Sequence, residues 1–298
     1  MRNFIIDFIF AEMSKNKKLF FVTADMGINL VEKIQKKFPK RYLNVGIAEQ
    51  SLISVCAGLA NIGFKPFAYS ISNFVIHRCF EQIRNDMSLH NYPITLLGTS
   101  TGYDNPELGP THHILDDWGC LKTFPNINIF CPYNIHNAER ILREVIRNSK
   151  PSYIRITKSL SEPIQNKFFL KDIVEIKNKK KSKLLITYGS TIPIAFETAS
   201  KNFDISLVIL SKLSPINEKK LLNVIKKYSK ILILEDHFAS TGLYSTICQI
   251  LNKNNLNTKV ESIAPSKYVL TGSKDQRFLM SQSGINYQNI KKKINKIK

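Results

Sequence analysis

The chain has 298 residues, long for a single domain and ample for two. Hydrophobic residues make up 43% of it, enough to build cores and to exclude wholesale disorder. A formal net charge of +20 raises nucleic acid as a partner, but the lysine runs at 177–183 and 291–298 carry no interleaved aromatics and no readout motif. A general Lys/Asn/Ile bias explains the charge, and no specific nucleic-acid binding is expected.

In chain order, Phe4, Ile5, Phe8 and Ile9 sit at helical spacing, with Asp7 and Glu12 interrupting the apolar run. The pattern predicts an amphipathic first helix rather than a signal peptide. No stretch reaches the ~20 apolar residues of a membrane span, so a soluble chain with no membrane partner is expected. Leu19–Thr23 reads as a buried strand, Tyr42–Val45 as a short strand, Ala48–Ala60 as a helix and Lys65–Tyr69 as a strand. A helix is expected over 74–90, then strands at Ile94–Gly98, Ile127–Cys131 and Ser152–Ile156, with an amphipathic helix at Asn137–Arg147. A composition shift marks a linker at 161–182 between a first domain (1–160) and a second (183–298). The second domain repeats the alternation: strands Lys183–Thr187, Ser206–Leu210, Ile231–Glu235 and Lys259–Ser262, and helices Pro193–Lys201, Glu218–Tyr228 and Gly242–Asn252. The fold class is α/β, two domains, each with a mostly parallel sheet flanked by helices. The last dozen residues are basic and expected to fray. The five cysteines show no CxxC pair and no metal-ligand spacing, so they read as reduced, buried thiols of a cytoplasmic protein, and no metal site is expected in this chain.

Chemistry concentrates around Asn44-Val45-Gly46-Ile47-Ala48-Glu49-Gln50. A strand ends, Gly46 permits a tight turn, and Glu49 falls in the first turn of a helix whose apolar face is Leu52, Val55, Cys56 and Leu59. Taken by itself, an acid that complements the helix dipole accounts for Glu49 more readily than a catalytic carboxyl does. Phe74 is equally readable as core, and His112 as a structural or exposed histidine.

The wider string PKRYLNVGIAEQSLISVCAGLANIGFKPF resembles the pyrimidine-binding domain of the transketolase family, as do FVTADMG at 21–27, NFVIHRCFEQIRND at 73–86 and GPTHHILDDWG at 109–119. These occur in the family's order and approximate spacing. ILILEDHFASTGLYS at 231–245 is similar to the family's C-terminal domain. The resemblance implies a thiamine diphosphate site in which Glu49 shares a proton with the aminopyrimidine ring. It implies Phe74 as the ring on which the pyrimidine stacks, with Phe80 and Val75 as alternatives, and Arg78 and Asp25 as further cofactor contacts. His112 would face the substrate's reacting hydroxyl or aldehyde, beside His113, read as an exposed bystander. Asn29 and Ser100 would touch substrate, and Arg2 and Lys158 fall where the family binds a sugar phosphate. Two departures point away from a common pentose phosphate acceptor. Leu108, in Glu107-Leu108-Gly109-Pro110-Thr111-His112, replaces an aspartate, and Lys158 puts a point charge where a forked guanidinium is usual.

The chain has no Gly-Asp-Gly segment, the family's seat for the Mg2+ or Ca2+ that bridges the diphosphate. The resemblance therefore implies a separate N-terminal transketolase-like subunit carrying the diphosphate-binding domain, in an α2β2 heterotetramer. The expected function is that of the beta-type subunit of a transketolase-like transferase moving a two-carbon ketol unit from a ketose to an aldehyde. The alternatives are a decarboxylating relative (deoxyxylulose phosphate synthase-like or a 2-oxoacid dehydrogenase beta subunit) and a non-catalytic assembly subunit.

Overall fold

The computed structural model describes residues 1–158, 171–178, 183–201 and 204–296. The first sheet follows from runs of buried apolar residues: β1 (Leu19–Thr23), β2 (Tyr42–Asn44), β3 (Lys65–Ile71), β4 (Thr95–Thr99), β5 (Asn128–Phe130) and β6 (Ser152–Arg155). These six are mutually parallel. Their faces are covered by α1 (Arg2–Lys15), α2 (Glu32–Lys37), α3 (Glu49–Asn61), α4 (Ser72–His77), α5 (Phe80–Gln82), α6 (Asp117–Leu121) and α7 (Ile135–Asn148). As expected of a sheet buried on both sides, the strands are almost wholly apolar rather than alternating.

The second sheet contains β7 (Ile173–Ile176), β8 (Lys183–Thr187), β9 (Ile205–Leu210), β11 (Lys230–Leu234) and β12 (Lys259–Ile263), in the order β12-β11-β8-β9-β7. It is parallel except for β7, which runs antiparallel to β9. Helices α8 (Ile192–Lys201), α9 (Glu218–Ile225), α10 (Leu243–Lys253), α11 (Gln276–Gln282) and α12 (Tyr287–Lys296) complete it. The remaining strand, β10 (Lys212–Ser214), joins the first sheet antiparallel to β5, so the second half of the chain adds the outer strand to the first sheet.

Several expectations give way here. The stretch expected to be a linker, 161–182, contains β7 within its described residues 171–178; positions 161–170 and 179–182 lie outside the described residues. The helix expected over 74–90 is three pieces: α4, a break at Arg78–Cys79, then α5 running into a π-helical turn at Ile83–Ser88. The basic tail forms α12 through Lys296, because Ile290 and Ile294, four residues apart, are buried in the second core. Cys56, Cys79 and Cys131 are buried, but Cys120 and Cys248 are only half-buried. No helix among the described residues is long and apolar enough to cross a membrane.

Candidate functional site

The loops leaving the carboxyl edge of the first sheet carry most of the residues singled out in the sequence, the edge at which open α/β sheets bind ligands. Asp25 and Asn29 follow β1, Glu49 follows β2, Phe74 and Arg78 follow β3, Ser100 follows β4 and Lys158 follows β6.

Glu49 opens α3 and is only 2% exposed. Its Oε1 accepts from Ser70 Oγ on β3 at 3.3 Å, and its Oε2 from Arg78 Nη1 at 2.6 Å. The Arg78 side chain is 43% exposed, and its guanidinium carbon stands 4.3 Å from the centre of the Phe74 ring. Phe74, half-buried, meets the His112 ring edge-on at 5.1 Å. Glu49 from α3, Phe74 from α4, Arg78 from the break after α4 and His112 from the loop before α6 therefore form one continuous run. The break after His77 places Arg78 outside both flanking helices, and from there its side chain reaches Glu49 and Phe74 together. Of the alternative stacking residues, Val75 is fully buried and Phe80 packs on Phe124, 4.9 Å between ring centres.

Buried polar contacts hold α4 and its neighbours. Ser72 Oγ lies 3.0 Å from Tyr153 Oη, which donates to Asp117 Oδ2 at 2.8 Å. A side chain at Gly98 would meet Ser72 Oγ at 2.5 Å and the Tyr153 ring at 2.6 Å, so only glycine leaves room for this contact. Asp117 Oδ2 also accepts from Arg155 Nε at 2.8 Å. Arg155 in turn donates to Asp236 Oδ1 at 3.1 Å, and Ser190 Oγ donates to Asp236 Oδ2 at 2.5 Å. Arg155, Asp117 and Asp236 are fully buried and tie the first sheet to the loop after β11. The strings DDWG and LEDH held these acids in plain view, but nothing local shows that they converge on Arg155.

The His112 loop is anchored from α4: Asn73 Nδ2 donates to the Thr111 carbonyl, and Asn73 Oδ1 lies 2.7 Å from His77 Nδ1. His112 Nδ1 lies 3.0 Å from Thr111 Oγ1, and desolvation lowers the imidazole below its ordinary value. His113 is not exposed as expected. It is 4% exposed and packed edge-on to Tyr103 at 5.2 Å, and burial lowers its imidazole also. The Asp116 carboxylate and then the Cys120 thiol hold His77 up to about 10.

The other candidates form separate groups around the edge. Lys158 Nζ donates to Asn105 Oδ1 at 2.7 Å, and Asn105 Nδ2 donates to Ser100 Oγ at 2.6 Å, with Ser100 in the left-handed region. Asn44 Oδ1 accepts from the backbone N–H groups of Asp25 and Gly46, both at 2.9 Å, tying the loop after β1 to the turn before Glu49. Asn29 is exposed, and its N–H donates to Glu32 Oε1 at 2.6 Å. The Arg2 guanidinium stands near the Tyr69 hydroxyl and offsets part of the rise that burial imposes there. Among the described residues, no hydrogen bond or ion pair joins Arg2, Asp25, Asn29, Ser100 or Lys158 to the Glu49–Arg78–Phe74–His112 run.

This fold agrees with comparison to known proteins. Residues 1–163 match the family described as transketolase, pyrimidine binding domain, and residues 172–285 match transketolase, C-terminal domain. The chain belongs to the transketolase family. It is 30% identical over 263 residues to the B subunit of the apulose-4-phosphate transketolase of Actinobacillus succinogenes, covering 86% of this chain and 84% of that protein. It is also 30% identical over 253 residues to 1-deoxy-D-xylulose-5-phosphate synthase of Halothermothrix orenii, covering 82% of this chain but 39% of the synthase. In fold it is similar to a split-gene transketolase solved as an inactive β4 tetramer, with TM-score 0.86, 22% identity, and 99% and 97% of the two chains covered.

Proposed function

We propose that the chain is the beta-type subunit of a thiamine diphosphate-dependent transketolase-like enzyme. It transfers a two-carbon ketol unit from a ketose donor to an aldehyde acceptor, together with a separate diphosphate-binding subunit. One observation carries this reading. A carboxylate 2% exposed at a helix start is bridged by one arginine to an aromatic ring on which a planar cationic group already lies, 4.3 Å from the ring centre. A flat heterocycle with a basic ring nitrogen fits the same two partners, with Phe74 on its face and Glu49 at its edge, once the half-exposed Arg78 swings aside.

Thiamine diphosphate, when bound, supplies the carbon that adds to the donor carbonyl and the ring that stores the electron pair released on C–C cleavage. Glu49 holds the proton shared with the pyrimidine nitrogen, and the dry surroundings keep water from competing for it. Phe74 fixes the plane of the ring, and Arg78 and Asp25 border it. His112, neutral near pH 7 because desolvation lowers it, orients the reacting hydroxyl and exchanges a proton with it. Ser100, Asn29, Lys158 and Arg2 hold the remote end of the sugar. The diphosphate and its Mg2+ or Ca2+ fall to the partner, since this chain has no Gly-Asp-Gly. The likeness to a transketolase relative that is itself one of an enzyme's separate subunits, matched over 84% of its length, supports a split enzyme. We assign an α2β2 assembly working in the carbohydrate metabolism of the cytoplasm.

A second reading, a decarboxylating relative, rests on the 30% identity to a 1-deoxy-D-xylulose-5-phosphate synthase. Reconstituting the complex and offering ketose or pyruvate as donor separates the two. Turnover with ketose alone supports ketol transfer, and turnover with pyruvate overturns it. A Glu49→Ala complex with unchanged turnover would favour a non-catalytic assembly role.

A further inference from the structure

Where α4 meets α6, three side chains of different chemistry converge. His77 ends α4, Asp116 stands at the N-cap position of α6, and Cys120 lies one turn further along α6. One ligand atom from each, nitrogen, oxygen and sulfur, lies within 4.8 Å of the other two. Ligands at the 2.0–2.3 Å distances of a tetrahedral zinc ion stand about 3.3–3.8 Å from one another, so closure takes only small side-chain rotations.

The surroundings are those of a ligand set. Asn73 Oδ1, 2.7 Å from His77 Nδ1, fixes the ring so that Nε2 faces the cluster, the usual outer support of a metal-bound histidine. Tyr268 Oη donates to Asp116 Oδ2 at 3.3 Å, so Oδ1 is the oxygen turned towards His77. Asp116 Oδ1 is buried and stands 3.0 Å from His77 Nε2, an ion pair while the imidazole is protonated, so a bound metal ion must displace that proton. A divalent ion at this place would take over the pairing that the imidazolium proton now makes with the carboxylate, and the thiol beside them supplies a third ligand atom. Spacing gave no sign of this in the sequence, because the histidine lies 39 residues before the aspartate and only Asp116 and Cys120 share a turn.

We propose that His77 Nε2, Asp116 Oδ1 and Cys120 Sγ bind a borderline-soft divalent transition ion of the zinc type, with a fourth position left for water. The mixed nitrogen, oxygen and thiolate set selects such an ion over Mg2+ or Ca2+, which take oxygen. The ion joins α4, carrying Phe74, to α6, while Asn73 passes its position on to the Thr111 carbonyl of the His112 loop.

The test is titration of Co2+ into the reduced, chelator-treated full-length chain, read by visible and near-ultraviolet absorption. The expected result is a saturable one-to-one spectrum with a thiolate-to-cobalt band, displaced by Zn2+. Cys120→Ser removes the thiolate band and His77→Ala weakens binding at least tenfold, while Cys248→Ser, the other half-buried cysteine, changes neither. Absence of a saturable spectrum, or one that survives Cys120→Ser and His77→Ala unchanged, overturns the proposal and leaves an ion pair beside a thiol.

Discussion

Arg78 lies across Glu49. Its Nη1 is 2.6 Å from the buried carboxylate, and the same guanidinium covers the Phe74 ring at 4.3 Å. One exposed side chain thus closes the place where a carboxyl and an aromatic face meet. In the proposed enzyme Arg78 is a movable cover. Replacing Arg78 with alanine leaves the carboxylate buried without its partner, and because the guanidinium is 43% exposed the loss is expected near 1–2 kcal/mol. Urea denaturation of the chain measures it. A loss above that for a fully buried pair would show that Arg78 is fixed structure rather than a cover.

Glu49 itself tests the chemistry. In a reconstituted complex, Glu49→Ala is expected to lower turnover by at least about 10²-fold, the scale of a lost proton-transfer group. Near-ultraviolet circular dichroism checks that the fold survives.

His112 sits under a desolvating environment that lowers its imidazole, so it gains a proton only on the acid side of its ordinary value. The expected kcat/KM profile falls as pH drops below ~6.5, and His112→Asn removes that limb along with about 10²-fold of the rate. A profile identical in the variant would remove His112 from the proton path.

The two buried ion pairs of Arg155, with Asp117 and with Asp236, join the first sheet to the loop after β11. Arg155→Met is expected to destabilise the chain by about 3–5 kcal/mol, because two carboxylates lose their buried partner. Thermal unfolding of the variant against the wild type measures this, and a shift under a degree would show that the network contributes no net stability.

Glu235, fully buried, accepts from the Leu243 and Tyr244 N–H groups that start α10. Burial still raises its carboxyl to about 7. A raised value in the fold means that the folded chain keeps a proton which the unfolded chain has lost. The stabilising contribution is therefore full below ~4.5 and disappears as pH rises towards 7, a change of about 3 kcal/mol. Glu235→Gln has no such proton, so its stability relative to wild type should climb between pH 4.5 and 7. Parallel curves in urea titrations at the two ends would contradict this.

How much of this was legible varies with the range of the forces involved. β1 and β8 read correctly to the residue, because both are short apolar runs bounded by polar residues. Glu49 stood out because strand, glycine turn and helix follow one another within seven residues. The break at Arg78 did not, since the local pattern favours an unbroken helix and the gain comes from contacts with Glu49 and Phe74. β10 was illegible for a similar reason: three residues pair with a strand some eighty positions earlier. In α12 the lysines masked Ile290 and Ile294, whose burial decides the helix.

The most direct measurement is calorimetric titration of thiamine diphosphate, with Mg2+, into the chain alone, the diphosphate-binding subunit alone and an equimolar mixture. Tight binding and ketol transfer should arise only in the mixture and be lost with Glu49→Ala. Equally tight binding and full turnover by this chain alone would contradict the account.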